Sequence, residues 1–133
     1  MKPKLKFLIV DDHVIYRRSL MMTIKRLFPD SMFDEAGNGL EFLEIVKKED
    51  YDLIFMDMKM PEMNGIEATK IAKEISPDLK ILGISMFNKD DVIDGFIRAG
   101  AQGFIQKGGT QEEIKQAAET ILNGGKYFTN IFE

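Results

Sequence analysis

Residues 51–65 read YDLIFMDMKMPEMNG, and the fold follows from how this stretch begins and ends. Leu53, Ile54, Phe55 and Met56 form an unbroken apolar run, short enough for a strand covered on both faces. The run stops at Asp57, and Pro61, Asn64 and Gly65 mark the turn that follows. A carboxylate where a buried parallel strand meets its loop stands where open α/β sheets place their ligands. On its own Asp57 would more simply be a strand-ending turn former. Its company decides between the two.

Upstream, Phe7 to Val10 reads as a second buried strand, ended by Asp11 and Asp12. Tyr16, Leu20, Ile24 and Leu27 then recur at helical spacing until Pro29. Phe33 to Ala36 is a short strand candidate. Asn38 and Glu41 resemble a capping box for a helix carrying Phe42, Leu43 and Val46. Downstream, Asn64 and Glu67 repeat that start signal, and Ala68, Ile71, Ala72 and Ile75 supply the apolar stripe of the next helix. Ile81 to Ile84 is a buried strand leading into Ser85. Asn88 is placed to cap a fourth helix bearing Val92, Ile93, Phe96 and Ile97, with Gly95 inside it at a cost of about 1 kcal/mol relative to alanine. Gly103 to Gln106 is the last strand, with Lys107 at its end. Thr110 and Glu113 start the best-patterned helix, carrying Ile114, Ala117, Ala118, Ile121 and Leu122. Residues 1–125 are thus expected to form one domain, and 126–133, which carry no periodicity, a tail or the start of a linker.

Five strands alternating with five helices predict a parallel sheet with helices on both faces, joined by right-handed crossovers. Composition agrees with a single globular domain: 133 residues, 44% hydrophobic and 30% charged. A net charge of -4 carries no basic footprint for nucleic acid. No apolar run approaches the ~18 residues of a membrane span. The N-terminal apolar run is too short for a signal peptide, and the chain has no cysteine. The expectation is a cytoplasmic protein without membrane or nucleic-acid contact through these residues.

In such a sheet the carboxyl ends of the strands lie along one edge. That edge collects Asp11, Asp12, Asp57, Ser85 and Lys107. Three carboxylates brought together repel one another unless a cation sits among them. Hard oxygen ligands with room for water suit Mg²⁺ better than a caged Ca²⁺ or a softer metal. A lysine and a hydroxyl beside them can bind phosphoryl oxygens, so the set fits phosphoryl transfer onto an aspartate.

At these residues the chain resembles the receiver domain of bacterial two-component response regulators. The resemblance rests on LIVDDH at 8–13, LIFMDMKMPEMNG at 53–65, ILGISMF at 81–87 and GAQGFIQKGG at 100–109, and it covers about residues 5 to 125. The end of the chain is most similar to receivers of NarL/LuxR-type transcription factors. The resemblance implies a doubly wound, flavodoxin-like (βα)5 fold with strand order 2-1-3-4-5. It implies that Asp57 is the phosphoacceptor for a sensor histidine kinase, a phosphotransfer protein or a small donor such as acetyl phosphate. Asp12 and Asp57 would hold Mg²⁺ with the backbone carbonyl of Lys59, and Asp11 largely through water. Ser85 and Lys107 would bind the phosphoryl oxygens, and Phe104 matches the switch aromatic. Gly108 follows the lysine where many family members carry proline. The output face implied is helix four, strand five and helix five, or helices one and five in a homodimer formed on phosphorylation, with a DNA-binding domain outside this chain as a further form of output. The protein would be a switch and not an enzyme, catalysing at most its own phosphotransfer and dephosphorylation.

Rival readings are weaker. A haloacid-dehalogenase-type hydrolase carries its nucleophile at the end of strand one in an Asp-x-Asp pair, whereas strand one here ends Asp-Asp-His. An FMN binder needs a hydroxyl- and amide-rich loop there, and two aspartates would repel the phosphate. A stand-alone receiver acting by protein contact differs only in its output. His13 reads as a structural or solvated histidine, the methionines as core filler and loop lining, and Tyr16 and Arg17 as a partner-facing helix surface.

Overall fold

A computed structural model describes residues 4–86 and 90–128. It consists of β1 (Lys6–Val10), α1 (Val14–Leu27), β2 (Met32–Ala36), α2 (Gly39–Val46), β3 (Leu53–Asp57), α3 (Gly65–Ile75), β4 (Ile81–Ser85), α4 (Asp90–Ala99), β5 (Gly103–Gln106), α5 (Gln111–Leu122) and β6 (Tyr127–Phe128). All strand pairs are parallel and the sheet order is β2-β1-β3-β4-β5-β6. The expected order 2-1-3-4-5 is present, extended by one strand.

Side chains alternate along each strand between two cores. Leu8, Val10, Ile54 and Met56 face α2, α3 and α4, where Phe42, Ala68, Ala72 and Phe96 meet them. Phe7, Ile9, Leu53 and Phe55 face α1 and α5, meeting Leu20, Ile24, Ala117 and Ile121. β3 is buried at all five positions, as its unbroken apolar run requires.

The helix starts follow their caps. Asn64 and Glu67 form a complete capping box, each side chain accepting from the other's backbone N–H, at 2.9 and 3.1 Å. At α2, Asn38 accepts from Glu41 N–H, but the Glu41 carboxylate turns to the Gly37 N–H instead. Thr110 accepts from Glu113 N–H at 3.1 Å. The proposed cap Asn88 lies outside the described residues.

The buried face of α3 departs from the apolar stripe. Ile71 and Ile75 are 38% and 51% exposed, whereas Gly65, Ala68, Thr69 and Ala72 are buried. Small side chains let the helix lie close against β3, and the isoleucines are left outside. Ile97 of α4 is likewise 38% exposed.

Gly95 is more than a weak point of α4. A Cβ there would run into Cδ1 of Ile66 on α3, so the glycine is a socket for a neighbouring side chain. Gly95→Ala, which helix propensity alone would favour by about 1 kcal/mol, should therefore show no gain in denaturant unfolding. In an Ile66→Val background, which removes Cδ1, the gain should return, and equal effects in both backgrounds would show that the two residues do not meet.

The sixth strand lies in the stretch expected to be a tail. Gly124, at φ +92°, turns the chain after α5, and Tyr127 N–H donates to Gln102 O at 3.0 Å. Gly103 clears the way, because a Cβ there would sit 2.5 Å from the Tyr127 carbonyl oxygen. Two residues carry no periodicity, so nothing in their order announces a strand. Among the described residues no helix is long and apolar enough to cross a membrane.

Candidate functional site

The carboxyl edge of the sheet carries the site. Asp11 directly follows β1, and its backbone N–H donates to Ala36 O, continuing the ladder with β2. β3 delivers Asp57 at its last position, paired in register with Ile84. Lys107 follows β5, its N–H donating to Ser85 O at 2.8 Å. Strand pairing thus sets these residues side by side although the chain separates them widely.

Lys107 Nζ stands 3.0 Å from Asp11 Oδ2 and 3.1 Å from Asp57 Oδ1, with the lysine side chain 7% exposed and both carboxylates 3%. The ligand-competent atoms of Asp11, Asp12, His13 and Asp57 lie within 4.8 Å of one another. Burial first, and the Asp11 charge second, push the Asp57 carboxyl up to about 6, against the pull of Lys107. Ser85 is buried at the end of β4, beside Gln106 of β5. Lys59 has an exposed side chain in the loop after Asp57.

Two buried oxygens of this cluster, Asp57 Oδ2 and Asp12 Oδ1, have no hydrogen-bond partner; His13 Nδ1, 3.1 Å from the latter, lies outside hydrogen-bond geometry. Buried carboxylate oxygens are costly when unsatisfied. Three carboxylates against one ammonium leave two negative charges in excess. Hard oxygen donors, orphaned lone pairs and a surplus of two charges fit a hard divalent cation such as Mg²⁺.

Three neighbours of the site were not assigned to it from sequence. Tyr16 and Arg17, read as a partner-facing surface, turn inward from the first turn of α1. Arg17 donates to Glu35 Oε1 at 2.8 Å and to the Asp11 carbonyl at 2.5 Å, bracing β1 against β2. The Tyr16 ring lies under Lys107, 4.5 Å from Nζ to the centroid. Burial, then the Asp11 and Asp57 charges, push its hydroxyl up to about 12. His13 joins the carboxylates, its backbone N–H donating to Asp11 Oδ1 at 2.8 Å. The available signal was position: the first helical turn after a site loop passes close to the site.

Phe104 is fully buried on β5, opposite Gly83 of β4. Its ring lies 5.8 Å from that of Phe96 on α4, tilted by 42°. A Cβ on Gly83 would meet the Phe96 ring at 2.7 Å, so this glycine makes the space in which the two rings meet. Gly108 has φ +82°.

Comparison with known proteins agrees with this geometry. Residues 7–119 match the family described as response regulator receiver domain. The transcriptional regulatory protein YdfI of Bacillus subtilis is 33% identical over 119 residues, covering 90% of this chain and 55% of that protein. A LuxR-family two-component response regulator from Aurantimonas superposes with a TM-score of 0.90 at 28% identity, covering 96% of this chain and 91% of the other. The signal receiver domain of the putative response regulator NarL from Mycobacterium tuberculosis gives 0.82 at 25% identity, with 92% and 99% covered. The chain spans little more than half the length of the curated relatives it matches.

Proposed function

This chain belongs to the response regulator receiver domain family, and from that premise we propose that it is a phosphoacceptor switch acting through Asp57. The observation that carries the reading is the asymmetry of the Asp57 carboxylate. One oxygen is held by Lys107 at 3.1 Å, and the other is buried without a partner. The free oxygen is the nucleophile. Its lone pair forms the new O–P bond as the bond from phosphorus to the donor's nitrogen or oxygen breaks. The departing group keeps that electron pair and takes its proton from solvent.

Asp11, Asp12 and Asp57, with the carbonyl of Lys59, would hold Mg²⁺. Once bound it offsets the charge of the transferring phosphoryl oxygens. Lys107 contributes a further positive charge and is already within reach of Asp57. The Ser85 hydroxyl supplies a hydrogen bond to the same group. Such a protein has no separate substrate to turn over; it catalyses at most its own phosphorylation and dephosphorylation.

Phosphorylation acts by shifting a population. Engagement of Ser85 and Lys107 by the new oxygens biases β4, β5 and the Phe104–Phe96 contact, and through it α4. The output face is α4, β5 and α5. The donor would be a sensor histidine kinase or phosphotransfer protein, in the cytoplasm. The relatives are transcriptional regulators nearly twice as long, which supports output to transcription through a DNA-binding domain outside these residues, with homodimer formation as a further consequence.

The test is the mass of the intact protein after acetyl phosphate and Mg²⁺. One phosphoryl group should add to the wild type and none to Asp57→Asn. Retention of the adduct in the variant would place the acceptor elsewhere.

A further inference from the structure

We propose that Tyr16 is a positioning residue for this chemistry: the face of its ring is the platform that holds the Lys107 ammonium over Asp57. The inference rests on the phosphoacceptor reading and adds to it a part for a residue outside the carboxylate-lysine-hydroxyl set. Lysine carries its charge on a flexible four-carbon stem, so its tip is placed by what it touches. The backbone around it gives little help. Lys107 N–H is anchored on Ser85 O, but the next residue, Gly108, has φ +82° and no neighbour within 4 Å of where a Cβ would stand.

Among the described residues three contacts define the position of the ammonium. Two are the carboxylates of Asp11 and Asp57, at 3.0 and 3.1 Å. The third is the Tyr16 ring, 4.5 Å from Nζ to its centroid, inside the ~6 Å range of a cation–π contact. The carboxylates alone would leave the ammonium free to move toward solvent, since both lie on the site side. Tyr16 is itself well fixed: it packs on the core shared by α1 and α5, and its neighbour Arg17 ties α1 to the Asp11 carbonyl and to Glu35. Tyr16 and Lys107 together line an open groove of about 510 Å³ with His13, Ile15, Ser19 and Met86.

Ring face and hydroxyl can be separated by substitution. Tyr16→Phe keeps the face and loses only the hydroxyl, whereas Tyr16→Leu keeps an apolar side chain and loses the face. With acetyl phosphate and Mg²⁺, phosphorylation of Tyr16→Leu should slow about three- to thirtyfold, the span of a cation–π contact expressed as a ratio. Tyr16→Phe should stay within about threefold of wild type at equal melting temperature. Independently of phosphorylation, the side-chain CH₂ protons of Lys107 next to Nζ should resonate upfield in wild type and Tyr16→Phe, and return to ordinary positions in Tyr16→Leu. Wild-type rates in Tyr16→Leu, or a Tyr16→Phe as slow as Tyr16→Leu, would overturn the platform, as would an unshifted lysine in the wild type. A wild type that takes up no phosphoryl group would instead sink the phosphoacceptor reading, and the Lys107 resonance would still decide where the ring lies.

Discussion

In EDTA at pH 8, Asp57→Asn should melt well above the wild type, by roughly 10 °C, although it abolishes phosphoryl uptake. The Asp57 carboxyl stands at about 6 in the folded protein against 3.8 unfolded. The folded state therefore holds its proton more tightly, and each pH unit between the two values costs the native state 1.36 kcal/mol. Below about pH 4 both states are protonated and no penalty exists. Stability falls as pH rises from about 4 to 6, then levels, leaving a deficit on the order of 2–3 kcal/mol at pH 8. Asparagine has no charge to bury and removes this term, and for a chain of this size 2–3 kcal/mol corresponds to the stated rise. The gap between the two proteins should narrow toward pH 4. Added Mg²⁺ should raise the wild type and leave the variant nearly unmoved. Equal melting temperatures at pH 8 without metal would show that Asp57 is not an uncompensated buried charge.

The largest loss of stability from a single methyl group is expected at Gly65→Ala. Gly65 is the first residue of α3, and a Cβ there would fall on the carbonyl oxygen of Asp57 and lie 2.9 Å from its carbonyl carbon. Both are backbone atoms, so no rotamer change relieves the clash. Either α3 slides off β3, breaking the Gly65 N–H to Met58 O bond of 2.7 Å, or the end of β3 moves and carries Asp57 with it. The cost should reach about 3 kcal/mol or more, at the upper end for overpacking. Gly37→Ala is the control: the nearest atoms to its Cβ stand at 3.7 and 4.0 Å, and it should change stability by less than about 0.5 kcal/mol. The measurement is urea unfolding of both variants, joined to their rate of phosphoryl uptake. A Gly65→Ala protein as stable and as reactive as wild type would mean that α3 does not rest on the Asp57 backbone.

Much of this was legible in the chain because a buried parallel strand is a short apolar run with an abrupt polar end. Gly103 to Gln106 has the expected bounds, and Leu53 to Met56 needed only Asp57 added. The meeting of Asp11, Asp57 and Lys107 followed from the same premise, since parallel strands place their carboxyl ends on one edge. What escaped depends on distance between elements. Hydrophobic spacing pointed to Ala68, Ile71, Ala72 and Ile75 alike for the buried face of α3, but close approach to the sheet buries only the two alanines of that set. Helix propensity judged Gly95 by itself and could not see Ile66. The inward turn of Tyr16 depends on how the two-residue link after Asp11 aims α1, which no periodicity encodes.

The order β2-β1-β3-β4-β5-β6 leaves two flanks of the sheet where a foreign strand could attach, and each is blunted differently. At β2 the rim carries Asp34 and Glu35, the first gripped by the Tyr51 hydroxyl at 2.6 Å and the second by Arg17. At the far side a two-residue strand spends the pairing capacity of β5 and offers almost none of its own. Charged rims and stubby terminal strands are the devices by which sheet proteins avoid stacking edge to edge into fibres. Removing β6 should therefore make concentrated solutions prone to β-rich aggregation, whatever it does to signalling.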